Sequence, residues 1–520
     1  MSLHGQHLIA GERRASAPGT FQGIDATSQA PLDPSFSEAT GEEIDAAVTA
    51  ASAAFPVFAE TTGEQRARFL ETIASEIEAI GDALLTRAHQ ETGLPLPRLT
   101  GERGRTCGQL RLFASVAREG SWVDARIDPA QPERKPLPRS DVRRMFRPLG
   151  PVAVFGASNF PLAFSVAGGD TASALATGNP VIVKGHPAHP GTSELIAEAI
   201  HRAVVKCSLP TGVFSLVHGR SPDTSLALVR HPALTAVGFT GSHTAGRALF
   251  NAAAARPQPI PVFAEMSSVN PLFVLPGALR ESGAAIAEGL KNSFTLGVGQ
   301  FCTKPGLVIG VASPEWEAFI DTFVNLVKGV TRGPMLHAGI ASAFDRGLET
   351  MTGVTWLHRG GAAVARVTAA QVIADPALLH EHFGPYTLVV TAETQEELVD
   401  LAATLGGQLT ATVHALGSDH SQAAGLLAQL ERIAGRVVFN GYPTGVEVCH
   451  AMQHGGPYPA STDARFTSVG SAALARFIRP VCYQDFPDSL RPDALKDSNP
   501  LGLLRLVDGK ATRDAIRPAV

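Results

Sequence analysis

The chain has 520 residues, more than one ordinary core accommodates, and this length favours about three to four domain-sized units. Its net charge of −5 comes from both signs spread along the sequence, which argues against nucleic acid or an anionic membrane surface as a partner. The five cysteines lie far apart with no C-x-x-C pair, the start lacks a basic segment followed by an apolar core, and no apolar run reaches the length of a membrane span. A reducing, cytoplasmic setting is therefore expected.

Residues 42–58 and 64–93 read as amphipathic helices, since Phe69, Ile73, Ile77 and Ile80 recur at steps of three and four. Residues 101–107 are expected to precede a further helix carrying Leu110 to Ala114, and residues 134–145 are basic and proline-bearing. From Pro151 the period changes. Strands at 152–155, 180–184, 213–218 and 236–239 alternate with helices at 161–176 and 192–207. Beyond Glu265 come strands at 271–274 and 307–309 and helices at 282–293 and 314–330. This alternation implies βαβ units and parallel sheets in two α/β domains. Residues 477–484 are β-prone, and the polar tail from Pro487 is expected to wrap a neighbour.

The run Gly299-Gln300-Phe301-Cys302-Thr303-Lys304-Pro305 sets one thiol beside glycine and small polar neighbours, which suggests a nucleophile. A thiol adding to an aldehyde carbon creates an oxyanion, and Asn159 together with the Cys302 backbone N–H are candidate donors for it. A thioester left after hydride departure needs a base to activate water, and Glu265 is the candidate carboxylate. Thr240-Gly241-Ser242 opens a helix whose free N–H groups suit a pyrophosphate, although the G-x-G-x-x-G fingerprint is absent. His450 and His454 have the i, i+4 spacing of metal ligands, but the glycine and proline around them argue against a fixed helix, and no metal is expected.

The order of these stations, with Lys184, Gly246 and the run Glu381-His382-Phe383-Gly384-Pro385, resembles the aldehyde dehydrogenase superfamily. Within it, the runs 299–306, 184–191 and 455–460 look most like α-ketoglutarate semialdehyde (2,5-dioxopentanoate) dehydrogenases. The resemblance implies a cofactor-binding domain over 1–133 and 150–264, a catalytic domain over 265–455, and a small β oligomerisation element from 134–149 and 475–486. A C-terminal tail covers 487–520, and a homodimer or homotetramer is implied.

It also implies that Gly241, Ser242 and Gly246 hold the pyrophosphate, Lys184 the adenosine ribose, and Glu381 and Phe383 the nicotinamide end. NAD-preferring relatives carry a glutamate where this chain has Pro187. Its loss permits NADP, which is favoured over NAD, and Arg220 is a candidate phosphate contact. Phe160 and Phe164 would line the aldehyde tunnel on one side of the helix after Asn159. Arg105 at its mouth suits an aldehyde with a distal carboxylate. Two departures from the family stand out: Glu265-Met266-Ser267-Ser268-Val269 replaces Glu-Leu-Gly-Gly-Lys, and Ser158 replaces a tryptophan. The expected activity is NAD(P)-dependent oxidation of α-ketoglutarate semialdehyde to α-ketoglutarate. The alternatives are another aldehyde, fatty or semialdehyde; transfer of the acyl group to CoA, against which Glu265 argues; or a non-catalytic binding relative.

Overall fold

The computed structural model describes residues 2–16 and 19–516. Two seven-stranded sheets, a five-stranded sheet and a two-stranded ribbon organise them. The first large sheet runs Val262–Glu265, Ala236–Thr240, Val152–Phe155, Val181–Lys184 and Phe214–Val217 in parallel, then adds His7–Ile9 and Glu12–Arg14 antiparallel at one edge. Val152–Phe155, Val181–Lys184 and Phe214–Val217 are buried at every residue, as expected of parallel strands covered by helices on both faces. Because the strands are parallel and in register, Glu265, Thr240, Phe155 and Lys184 all end at one edge of the sheet. In open parallel sheets that edge is where ligands bind.

The second sheet places Leu307–Val311 between Pro271–Val274 and Tyr386–Ala392, all parallel. The loops that enter the neighbouring strands Leu307–Val311 and Tyr386–Ala392 carry Cys302 and Glu381, so strand pairing alone brings those two loops together. Gly299 sits at φ +66°, and a Cβ there would lie 2.4 Å from the Gly384 backbone. Only glycine lets the Cys302 loop press against the Glu381 loop this closely.

Several expected elements differ in the structure. The stretch read as one helix over 64–93 is two helices, Gly63–Ala79 and Asp82–Thr92, divided at Gly81 with φ +68°. The helix expected to follow residues 101–107 instead spans Leu96–Glu119 and contains them. Gly101, Gly104 and Gly108 weaken its intrinsic propensity, but they face open space, while Leu99, Cys107, Leu110 and Phe113 bury the opposite face; packing overrides propensity. The helix expected over 161–176 begins only at Gly169. Residues 161–168 form turns because the buried Glu102 carboxylate accepts from the Leu162 and Ala163 N–H groups at 2.9 and 3.0 Å, fixing them outside a helical ladder.

The five-stranded sheet joins Ile478–Gln484, Val142–Pro148 and Arg126–Asp128 to Arg505–Val507 and Lys510–Thr512. The tail folds back onto a sheet of its own chain, with Arg505–Val507 parallel to Arg126–Asp128; residues 517–520 lie outside the described residues. Among the described residues, no helix is long and apolar enough to cross a membrane.

Candidate active site

The two large sheets face each other across a cavity of about 500 Å³, which Asn159, Gly241, Ser242, Glu265, Cys302 and Glu381 help to line. Phe383 lines the same space, at the edge. Lys184, Pro187, Arg220 and Gly246 are outside that lining. Gly246 lies behind it, where a Cβ would come 2.8 Å from Met266, so it sets the approach of the helix His243–Ala254 to the strand end carrying Glu265. Ser242 caps that helix, its Oγ accepting from the Ala245 N–H at 3.3 Å, and the helix N-terminus opens toward the cavity. Small residues, Gly156, Ala157 and Ser158, form the facing wall. This arrangement fits a dinucleotide: free backbone donors beside glycine at a helix start for its pyrophosphate, and the thiol at the far end.

The Cys302 thiol is partly exposed to this cavity. Its carbonyl is held by the Asn270 Nδ2 amide at 2.8 Å, which also grips the Lys304 carbonyl at 3.0 Å, so the loop is braced on both sides of the sulfur. Asn159 is buried; its Nδ2 donates one hydrogen to the Gln300 carbonyl at 3.0 Å, and its own carbonyl accepts from Arg98 Nη2 at 2.7 Å. Arg98, Glu102 and Arg105 recur at i, i+4 and i+7 on one face of the helix Leu96–Glu119, and this face builds the wall beside Asn159. Arg98 packs between the rings of Phe160 and Phe301 at 4.9 and 4.8 Å, and Arg105 lies 5.5 and 5.1 Å from those of Phe160 and Phe164. Arg105 Nε and Nη2 are buried without a partner.

Glu265 is buried, with Ser468 Oγ donating to its Oε2. Its Oε1 lies 3.0 Å from His454 Nε2, but off the ring's hydrogen-bond direction; that direction is taken by Cys302 Sγ at 3.5 Å. Burial raises the Glu265 carboxyl, but the imidazole beside it and the Ser468 hydroxyl outweigh this and hold it below the usual range. The Cys302 thiol is pushed well above its ordinary value by burial, then by the Glu265 charge. His454, set aside above as a metal ligand, gathers with Cys302 and Glu265 within 4.8 Å. It is fully buried against the sulfur, while His450 turns away to Ser471 Oγ at 3.0 Å.

In the adjoining loop, burial raises the Glu381 carboxyl and Lys304 beside it works against the rise, while burial lowers the Lys304 ammonium. Ser267 and Ser268, the departures after Glu265, both hydrogen-bond to Glu381 through the Ser267 hydroxyl and the Ser268 N–H. They tie the strand end of Glu265 to the Glu381 loop. Lys184 is lowered to about 8 by burial, with Glu38 opposing. Arg220 is exposed and already engaged by Glu38, whose Oε1 lies 3.3 Å from its Nε, because its own N–H also donates to that carboxylate at 2.8 Å. His454, Ser468, Arg98 and Glu102 were not among the expected site residues.

A cysteine lining a dinucleotide-sized cleft between two largely parallel sheets, with a capped helix start beside it, suits a nicotinamide-dependent oxidoreductase. The chain belongs to the aldehyde dehydrogenase family, whose sequence model matches residues 15–477. It is 52% identical to alpha-ketoglutaric semialdehyde dehydrogenase 2 of Azospirillum brasilense, over 98% of this chain and 100% of that one. It is 47% identical to alpha-ketoglutaric semialdehyde dehydrogenase of Acinetobacter baylyi, over 98% and 99%. Among solved structures, betaine aldehyde dehydrogenase of Staphylococcus aureus in complex with NAD+ superposes with a TM-score of 0.79 at 20% identity, covering 93% of this chain and 96% of that one. At that identity the likeness concerns the fold, which is aldehyde dehydrogenase-like.

Proposed function

We propose that this protein oxidises α-ketoglutarate semialdehyde to α-ketoglutarate with NAD(P), NADP being favoured. The observation that carries the substrate is Arg105: two guanidinium donors buried without a partner, over two aromatic rings and close enough to Cys302 for each to feel the other's charge. A buried donor left unpaired is costly, and a carboxylate at the far end of a short aldehyde would satisfy both at once. The two semialdehyde dehydrogenase relatives support the same substrate.

Cys302 Sγ bonds to the aldehyde carbon, and the resulting oxyanion accepts from the free Asn159 amide hydrogen and the Cys302 backbone N–H. The bound nicotinamide supplies the hydride acceptor. Glu265 then removes a proton from water as its oxygen attacks the thioester, the C–S bond breaks, and the acid leaves. In this reading Glu381 and Phe383 serve the nicotinamide end, and Gly241 and Ser242 the pyrophosphate; all four line the same cavity.

The direct test is a comparison of kcat/KM for aldehydes with and without a distal carboxylate, each with NAD and NADP, followed by the absorbance of the reduced nicotinamide. A preference for long aliphatic aldehydes would overturn the substrate. Arg105→Ala is expected to cost about 1.5–3 kcal/mol in kcat/KM for the semialdehyde, the range for a hydrogen bond to a charged group, and almost nothing for hexanal. Equal losses on both would remove Arg105 as the reader of the carboxylate.

The cofactor preference rests on Pro187, three residues beyond Lys184 and half-exposed. Pro187→Glu places a carboxylate where a 2′-phosphate would lie, and should raise KM for NADP while leaving that for NAD nearly unchanged. Parallel changes with both cofactors would show that this position does not face the ribose.

A further inference from the structure

The Cys302 thiol is the group that must become a nucleophile, yet both burial and the neighbouring Glu265 charge disfavour its ionisation. A thiol in that setting needs a proton acceptor in contact with it. Among the described residues two acceptors touch it, the Glu265 carboxylate and an imidazole nitrogen, and the nitrogen is the one aimed at the sulfur. His454 Nε2 lies 3.5 Å from Cys302 Sγ along the ring's hydrogen-bond direction, while Nδ1 of the same ring is buried with no partner. The ring is fixed from behind, its backbone N–H donating to Thr467 Oγ1 at 2.8 Å and its carbonyl accepting from the Ser468 N–H at 2.8 Å. Phe164 covers one side at 6.3 Å between ring centroids.

We propose that His454 is a third reacting residue, the group that takes the Cys302 proton, with Glu265 as the counter-charge to the imidazolium. The inference rests on Cys302 as the nucleophile and is independent of which aldehyde is oxidised. The geometry supplies the driving force. The carboxylate oxygen 3.0 Å from Nε2 attracts a positive ring and so stabilises the proton that leaves Sγ. The thiolate left behind faces the imidazolium, as in other sites where a base activates a cysteine.

The protons balance. The S–H bond breaks as the Nε2–H bond forms, and Sγ adds to the aldehyde carbon. At the end of the cycle the C–S bond breaks, and the sulfur recovers its proton from Nε2. The proton that Glu265 takes from water is a separate one, released to solvent. The charged groups acting on the thiol are Glu265, Arg105 and Glu381, and Arg436 feels its charge in turn; Glu265 is the one in contact with His454.

The test is alkylation of Cys302 by iodoacetamide across pH, read as loss of the unmodified Cys302 peptide by mass spectrometry, so that the exposed Cys482 does not interfere. His454→Gln is expected to slow alkylation at neutral pH about tenfold or more, to move the midpoint of the pH profile upward by one unit or more, and to recover the rate at alkaline pH. Unchanged alkylation together with slower thioester hydrolysis would overturn the proposal and reduce His454 to a positioning residue for Glu265. The unmodified enzyme provides a second reading that does not depend on the variant folding. A plateau of reactivity at neutral pH supports the imidazole, and a single midpoint above that of an ordinary thiol overturns it. Neither result touches aldehyde oxidation itself, which fails separately if Cys302→Ala still turns over.

Discussion

Cys302→Ala is expected to abolish dehydrogenase turnover, by roughly 10⁴-fold or more, while NAD(P) binding measured by nucleotide fluorescence stays nearly intact. The split between the two readouts follows from the architecture. The sulfur stands at the end of the cavity on a loop braced by Asn270, whereas the helix start at Ser242 and the loop at Glu381 do not depend on it. Alanine fits the space of the thiol and leaves the carbonyl of residue 302 free to keep its bond to the Asn270 amide. Measurable steady turnover in this variant would remove the covalent mechanism altogether.

Glu265→Gln separates the two halves of the reaction. Hydride transfer precedes the step that needs a base, so the variant should release a stoichiometric burst of reduced cofactor and then stall, with the steady rate lower by roughly 10²–10⁴-fold. Glutamine keeps an oxygen for the Ser468 hydroxyl, so the site should hold its shape while losing the base. The burst is the informative half. A variant without burst and with undiminished steady turnover would show that water is activated elsewhere, and a slow burst would show that Glu265 also serves the thiol step by balancing the charge on His454.

The departures of this chain from the family pattern acquire a physical meaning here. Ser267, in place of a glycine, supplies a hydroxyl to Glu381, beside the Ser268 N–H that glycine would offer equally, and Ser268 Oγ donates to Gln408 Oε1 at 2.9 Å. The strand end carrying Glu265 is thus linked both to the Glu381 loop and to the second sheet. On its other side, Met266 donates its N–H to the Ala460 carbonyl at 2.8 Å, which joins the same strand end to the 445–462 segment, the source of His454.

The alternation of short apolar runs with helical periods made the two largely parallel sheets legible, since strands buried on both faces are apolar at nearly every position. The thiol among small residues, the lone carboxylate at Glu265 and the Thr-Gly-Ser turn were legible for a similar reason: each carries its chemistry in its own residue type or in a local backbone shape. The helix Leu96–Glu119 was misjudged because three glycines weaken its local preference, and only burial of its far face restores it.

The sequence by itself determined the candidate reacting groups, the order in which the chain delivers them and the parallel strands that end beside them. Only the tertiary structure decided how those groups are surrounded. His454 meets Cys302 across 152 residues, Ser468 meets Glu265 across 203, and Arg98 meets the Asn159 carbonyl across 61. No local pattern encodes such pairs, because each depends on the register of distant strands and on loops whose shape is set by what packs beneath them. Those contacts act together with burial: at Glu265 the imidazole and the Ser468 hydroxyl outweigh desolvation and keep the carboxyl below its usual range.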